Sequence, residues 1–345
     1  MSLRSTFHTA LLTALRAAAL SAPLLLGLGC QPPEETPAKP VHEVPTVPRE
    51  TTLQAYAPEH PVAGELKSVG SDSMEPLMVL WGEDFKRFHP RISTRFVCKG
   101  SGTAPKALIE GSTLMGQMSR EMTDQELAAF QAQYGYAPTR IPVAVDALVV
   151  YVNANNPVKQ LRMQEVDAIF STTRKGGAKS DIQRWGDLGL GGDWKQREIQ
   201  TYGRDENSGT RAFFREHVMK KGDFKPTLKA FMDQFAVVEA PAVDGGGISY
   251  GPLQYANRMV KGVPIASFSS DRFIEPTLEN IQKATYPLTR FLYIYVNKAP
   301  GRALDPTVRE FLRFVLSREG QAGVASFGAV AIPGDFAALS VGKLN

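Results

Sequence analysis

The sequence predicts an α/β protein of two lobes, and two observations carry that expectation. Strand-like and helix-like segments alternate from Leu66 onward, the pattern of sheets flanked by helices. Two nearly continuous apolar runs, 141–152 and 291–296, read as strands covered on both faces, and the stretch between them is long enough to hold an inserted lobe. The expected division is therefore 62–150 with 286–345 as one lobe and 151–285 as the other. Each is a central mixed sheet flanked by helices, and hinge strands join the two.

The elements follow in order. Segments 66–69 and 92–97 read as short strands, and between them Leu77, Trp81, Phe85 and Phe88 recur at helical spacing, predicting one buried helix face. A helical stretch at 106–110 is closed by Gly111. A strand at 199–202 precedes a helix carrying Phe213, Phe214 and Val218, and helices at 306–316 and 321–327 close the chain. No internal repeat is visible.

The first residues have a different character. Arg4 and Arg16 lead into a run of Ala, Leu and Gly at 17–28 that ends at Gly29-Cys30. A basic start, a short apolar stretch and small residues at its end describe a secretory signal peptide over 1–29, too short for a comfortable membrane span. The stop at cysteine resembles the lipobox of bacterial lipoproteins, although Gly27 stands where that motif usually has Leu. The resemblance implies lipidation at Cys30 and a protein held by lipid in the periplasm or at the cell surface. Segment 30–61 carries eight prolines, at 32, 33, 37, 40, 45, 48, 58 and 61, and is expected to be an extended stalk. With Cys30 acylated, Cys98 has no partner, which excludes a disulfide framework and leaves Cys98 as a packing residue.

Composition excludes one class of function. A formal charge of +4 spread over 345 residues, without a dense Lys/Arg run, is too mild for a nucleic-acid protein.

Three places share one chemical design. Gly70-Ser71-Asp72-Ser73-Met74-Glu75 follows the first strand and opens a helix; Gly100-Ser101-Gly102-Thr103 does so after the second; Arg204-Asp205-Glu206-Asn207-Ser208-Gly209-Thr210 follows the strand near 200. Each supplies hydroxyls, small residues and the unpaired amides of a helix start, which together favour an anion. Any one of them alone reads more simply as an N-cap. Three in one chain, one of them preceded by an arginine, read better as a shared anion site.

These motifs, in this order and spacing, resemble the periplasmic phosphate-binding protein of the phosphate ABC transporter, a type II solute-binding protein. Supporting segments are 143–153 around Asp146, Ile169-Phe170-Ser171, Gly247-Ile248-Ser249-Tyr250 and 286–295, so the resemblance spans roughly residues 64–335. It implies a two-lobed fold with inorganic phosphate buried in the cleft between the lobes, an ABC membrane permease as partner, a monomer, and no cofactor. It also implies contacts from Ser71, Asp72, Ser73 and Ser101 on one side and from Arg204, Ser208, Gly209 and Thr210 on the other. Arg120, in Ser119-Arg120, stands where studied members carry an aspartate that accepts the phosphate proton. Asp72, held by Arg120, is then the candidate acceptor. Asp146, a lone charge in an apolar strand, is expected to be a hinge partner.

Other readings are weaker. Gly247-Ile248-Ser249-Tyr250-Gly251 fits a nucleophile elbow, but no histidine follows Ser249 and Pro252 stands where a helix should begin. The histidines at 8, 42, 60, 89 and 217 are scattered and there is no P-loop, so neither an enzyme nor a metal site is expected. A binding protein for sulfate, molybdate or a phosphonate, or a phosphate-sensing surface module, is the alternative.

Overall fold

The computed structural model describes residues 52–345. The signal-peptide and lipidation readings at 1–30 lie outside the described residues.

The first half of the described chain forms β1 (Gly64–Gly70), α1 (Glu75–Phe88), β2 (Ile92–Cys98), α2 (Thr103–Ile109), β3 (Met115–Met118), α3 (Asp124–Tyr134) and β4 (Thr139–Asn153). Next come β5 (Leu161–Arg162), α4 (Met163–Phe170), β6 (Gln200–Arg204), α5 (Gly209–His217), β7 (Lys229–Phe231), α6 (Gln234–Val243) and β8 (Gly247–Pro252). The remainder is β9 (Val260–Gly262), β10 (Ile265–Ala266), β11 (Phe273–Ile274), α7 (Leu278–Gln282), β12 (Thr289–Val296), α8 (Pro306–Val315), α9 (Arg318–Phe327) and α10 (Gly334–Gly342).

A mixed sheet runs β2-β1-β3-β12-β4-β8-β6-β7, with β9 also on β4. The long strand β4 belongs to both ends of it. Its first part, Thr139 to Ala147, pairs antiparallel with β12; from Leu148 to Val152 it pairs antiparallel with β8. Parallel partners then extend each end, β1 with β2 and β3 on one side, β6 with β8 and β7 on the other. The chain thus makes two lobes on one continuous strand. Residues from Val143 to Val152 are buried throughout, as the apolar run predicted.

On α1, Leu77, Met78, Trp81 and Phe85 are fully buried, each contributing about 1.5–3 kcal/mol of transfer free energy. Trp81 Nε1 also donates to the Gly320 carbonyl at 2.7 Å, tying α1 to α9. Phe88, expected on the same face, is the last residue of the helix and sits at the rim of the core: its ring meets Tyr56 and Phe314 at centroid distances of 5.0 and 5.9 Å and stays 40% exposed.

The stalk reading needs correction at its C-terminal end. Tyr56 and Val62 are buried, and the Tyr56 hydroxyl donates to Glu310 on α8 at 2.9 Å and meets His89 Nε2 at 2.7 Å. The Tyr56 amide is bound by Glu319 and the Arg318 amide donates to the Gln54 carbonyl. One aromatic residue with a satisfied hydroxyl is enough to dock a proline-rich segment on the body.

Candidate functional site

Three of the motifs named from the sequence converge where the lobes meet. On the first lobe, a short 3₁₀ turn (Asp72–Met74) separates β1 from α1, and Ser71 precedes it in extended conformation. Its side chain caps nothing. The Ser71 hydroxyl instead lies 2.9 Å from Ser73 Oγ and donates to Ser119 Oγ at 3.2 Å, and Ser119 Oγ lies 3.2 Å from Ser101 Oγ. All four serines are buried. A row of hydroxyls with no capping duty is better explained by a polar ligand than by helix ends. Ser119, at the C-terminal edge of β3, joins the row although its sequence position drew attention only to its neighbour.

The second lobe supplies a helix start. Ser208 is the N-cap of α5, accepting from the Arg211 amide at 3.3 Å. Here the N-cap reading is correct and compatible with a site, since the amides of Gly209 and Thr210 have no carbonyl of their own helix to bond. Gly209 is required by closeness: a Cβ placed on it would lie 2.2 Å from Ser101 Oγ and 2.5 Å from Ser119 Oγ. Gly100 has φ +98°, and the Gly102 amide donates to the Asn207 carbonyl at 3.1 Å, so backbone meets backbone across the cleft.

Arg204, the last residue of β6, is 1% exposed and brings its charge between the lobes. Nε donates to the Phe231 carbonyl at 3.2 Å and Nη2 to the Met232 carbonyl at 2.7 Å. Nη1 donates to Gln234, and Nη2 also donates to Asp72 of the opposite lobe. A guanidinium has five N–H donors. Four are taken, so Arg204 offers a single N–H and its charge, not a free fork.

Asp72 therefore has a different partner from the one expected. Arg120 is not beside it: its two terminal nitrogens hold both oxygens of Glu126 at 2.7 Å, leaving a buried Nε with no partner among the described residues. The reason is local, since Glu126 is the third helical residue of the Thr123 capping box on α3 and lies within reach of the residue after Ser119. With Asp72 Oδ2 on Arg204, Oδ1 is the carboxylate oxygen left to accept.

The remaining hydroxyls are oriented by what donates to them. Ser101 Oγ accepts from the Ser119 amide at 3.0 Å, Ser208 Oγ from Arg211, and Thr210 Oγ1 from Arg290 Nη2 at 3.4 Å. A hydroxyl has one hydrogen, and an oxygen already accepting from an N–H keeps that hydrogen free to donate. The cleft so presents O–H and N–H donors from both lobes against one carboxylate.

Asp146, expected to be a hinge partner, has its own partner on the neighbouring strand. It lies opposite Arg290 in the β4/β12 register and pairs with it at 2.8 Å, both side chains being buried. Burial pushes the Asp146 carboxyl up, with Arg290 opposing. Arg290 was missed, although two opposite charges, each alone in an apolar strand, signalled the pair. Cys98, on β2, accepts from Gln117 Nε2 at 3.3 Å, and burial pushes its thiol up to about 12. Ser249 lies within strand β8, fully buried and away from any turn, so the apparent nucleophile elbow is not one.

The fold has counterparts in known proteins. A family model described as PBP superfamily domain matches residues 55–319. The phosphate-binding protein PstS of Pseudomonas aeruginosa is 44% identical over 293 residues, 85% of this chain and 91% of that protein. The chain belongs to this family. It is a family of transporter binding proteins, not of enzymes. Among solved structures, one described as a phosphate ABC transporter substrate-binding protein of Clostridium perfringens with bound phosphate is similar at TM-score 0.65 and 25% identity. That match covers 78% of this chain and 100% of the other. A structure described as that of a possible phosphate binding protein from Planctomyces limnophilus is 26% identical with TM-score 0.59, covering 82% and 98% of the two chains.

Proposed function

We propose that this chain captures inorganic phosphate between its lobes, outside the cytoplasm, and delivers it to the membrane permease of an ABC importer. The observation that carries this reading is the meeting of Arg204, the start of α5 and the Ser71–Ser73–Ser101–Ser119 hydroxyls at one buried place. The names of the relatives support the same ligand and the same transport context.

In this reading Ser73, Ser101, Ser208, Gly209 and Thr210 donate to the phosphate oxygens, the Ser71 hydroxyl turns from Ser119 to join them, Arg204 supplies charge and one N–H, and Asp72 Oδ1 accepts the phosphate proton. Arg120 contributes through Nε alone. Hydrogen bonds to a charged group stabilise by about 1.5–3 kcal/mol each, which is how a dehydrated anion is held. The lobes are 62–150 with 286–345, and 151–285; the protein acts as a monomer, tethered by lipid at Cys30. The periplasm or the cell surface is its place.

A thermal-shift panel with phosphate, arsenate, sulfate and molybdate tests the ligand, because an ion bound only by the folded form raises its stability by mass action. Phosphate and arsenate should raise the melting temperature while sulfate does not. A larger shift with sulfate or molybdate overturns the phosphate reading.

A further inference from the structure

We infer that Arg290 is a positioning residue for the anion site, fixing the Thr210 hydroxyl as a donor from its seat on the hinge. The inference rests on the phosphate reading of the cleft. Arg290 projects from β12 of the first lobe, beside the changeover at which β4 passes from β12 to β8. Its Nε and Nη2 meet Asp146 Oδ2 at 3.3 and 2.8 Å, and Nη2 reaches Thr210 Oγ1, on α5 of the other lobe, at 3.4 Å. The guanidinium also lies over the Phe213 ring, 5.4 Å from its centroid.

Two features argue that this pair serves the site. Arg290 Nη1 and Asp146 Oδ1 are both buried without a partner among the described residues. A buried ion pair that leaves a donor and an acceptor unpaired contributes little to stability, and an apolar replacement of both partners is often neutral or better. Its position has a definite effect instead. An arginine can only donate, so Thr210 Oγ1 must accept from it, and the Thr210 hydrogen is turned outward to an incoming oxyanion. The contact also joins the hinge to the helix start of the far lobe, so it forms only when that helix is seated against the hinge.

The test is a double-mutant cycle read by calorimetric titration of inorganic phosphate into the full protein. The pair variant D146N/R290M leaves no stranded charge and should bind roughly tenfold more weakly, one hydrogen bond's worth. Introduced together with T210V, the same pair change should alter affinity by less than about twofold beyond T210V alone, because its route through the hydroxyl is gone. Equal losses with and without the Thr210 hydroxyl, or a pair variant binding as well as wild type, overturn the inference. If the pair variant does not fold, R290Q, which can bond Asp146 but is too short for Thr210, takes its place with the same expectation. Misfolding of both makes the pair a scaffold and ends the proposal. A wild-type protein that binds no phosphate removes the underlying reading as well, which the wild-type titration alone decides.

Discussion

Arg204 donates to the carboxylate of Asp72 across the cleft, a partly buried contact between residues 132 positions apart in the chain. Arg204 stands at the end of a strand of one lobe and Asp72 at the start of a helix of the other, so the ion pair exists only when the lobes are together. It stabilises the same arrangement that a bound anion would.

Removing the cation should be severe. Arg204→Met deletes the site's charge and leaves Asp72 without its partner beside an incoming anion. Phosphate affinity should fall by at least about 1.5–3 kcal/mol, the scale of one charged hydrogen bond. Titration calorimetry reads this directly, and unchanged affinity would take Arg204 out of the site.

Asp72→Asn should alter selectivity more than strength. Phosphate near neutrality carries a proton that a carboxylate can accept; sulfate carries none and meets only repulsion from Asp72. The variant should lose roughly tenfold or more of the preference for phosphate over sulfate, measured by competition. A preserved ratio would show that the acceptor is another group.

Gly209→Ala should separate folding from closure. Its methyl would sit 2.2 Å from Ser101 Oγ on the facing lobe. Phosphate binding should weaken by roughly tenfold or more, while the melting temperature without ligand stays within about 2 °C, since Ala is favourable in a helix. Normal binding would mean that the lobes need not approach here.

Stability should fall on the acid side through His89. The Val62 amide donates to Nδ1 at 3.3 Å, so the ring hydrogen is on Nε2, facing the Tyr56 hydroxyl, which donates in turn to Glu310. Burial pushes the His89 pKa down, with Glu310 opposing. A group depressed in the folded state contributes stability above its unfolded value, near pH 6.5, and that contribution is lost as pH drops through the folded value. Denaturant midpoints measured from pH 7.5 downward should decline below about 6.5, and H89Q should flatten that part of the slope.

Most of the fold was readable because it rests on period and run length: the β4 run, the spacing on α1 and the late β12 run each have a physical signature in one dimension. The site was readable in its parts, since hydroxyls and glycines at helix starts announce themselves, but pairings across the chain do not. Arg120 was assigned to Asp72 because both belonged to site motifs; Glu126, which captures it, lies outside those motifs in the capping box of α3. Arg290 was missed because its segment was noted for its apolar run and for the family resemblance, neither of which marks a charge pair across two strands. The limit of the stalk was misplaced because eight prolines outweighed one tyrosine, although the tyrosine decides where packing begins.

The Tyr56 knot has a mechanical meaning. Because the chain is fastened there to α1, α8 and α9, any pull arriving through the N-terminal residues is borne by the outside of the first lobe. Strands β4 and β12, which join the two halves, lie off that path, so a tether upstream of Tyr56 would load neither of them directly.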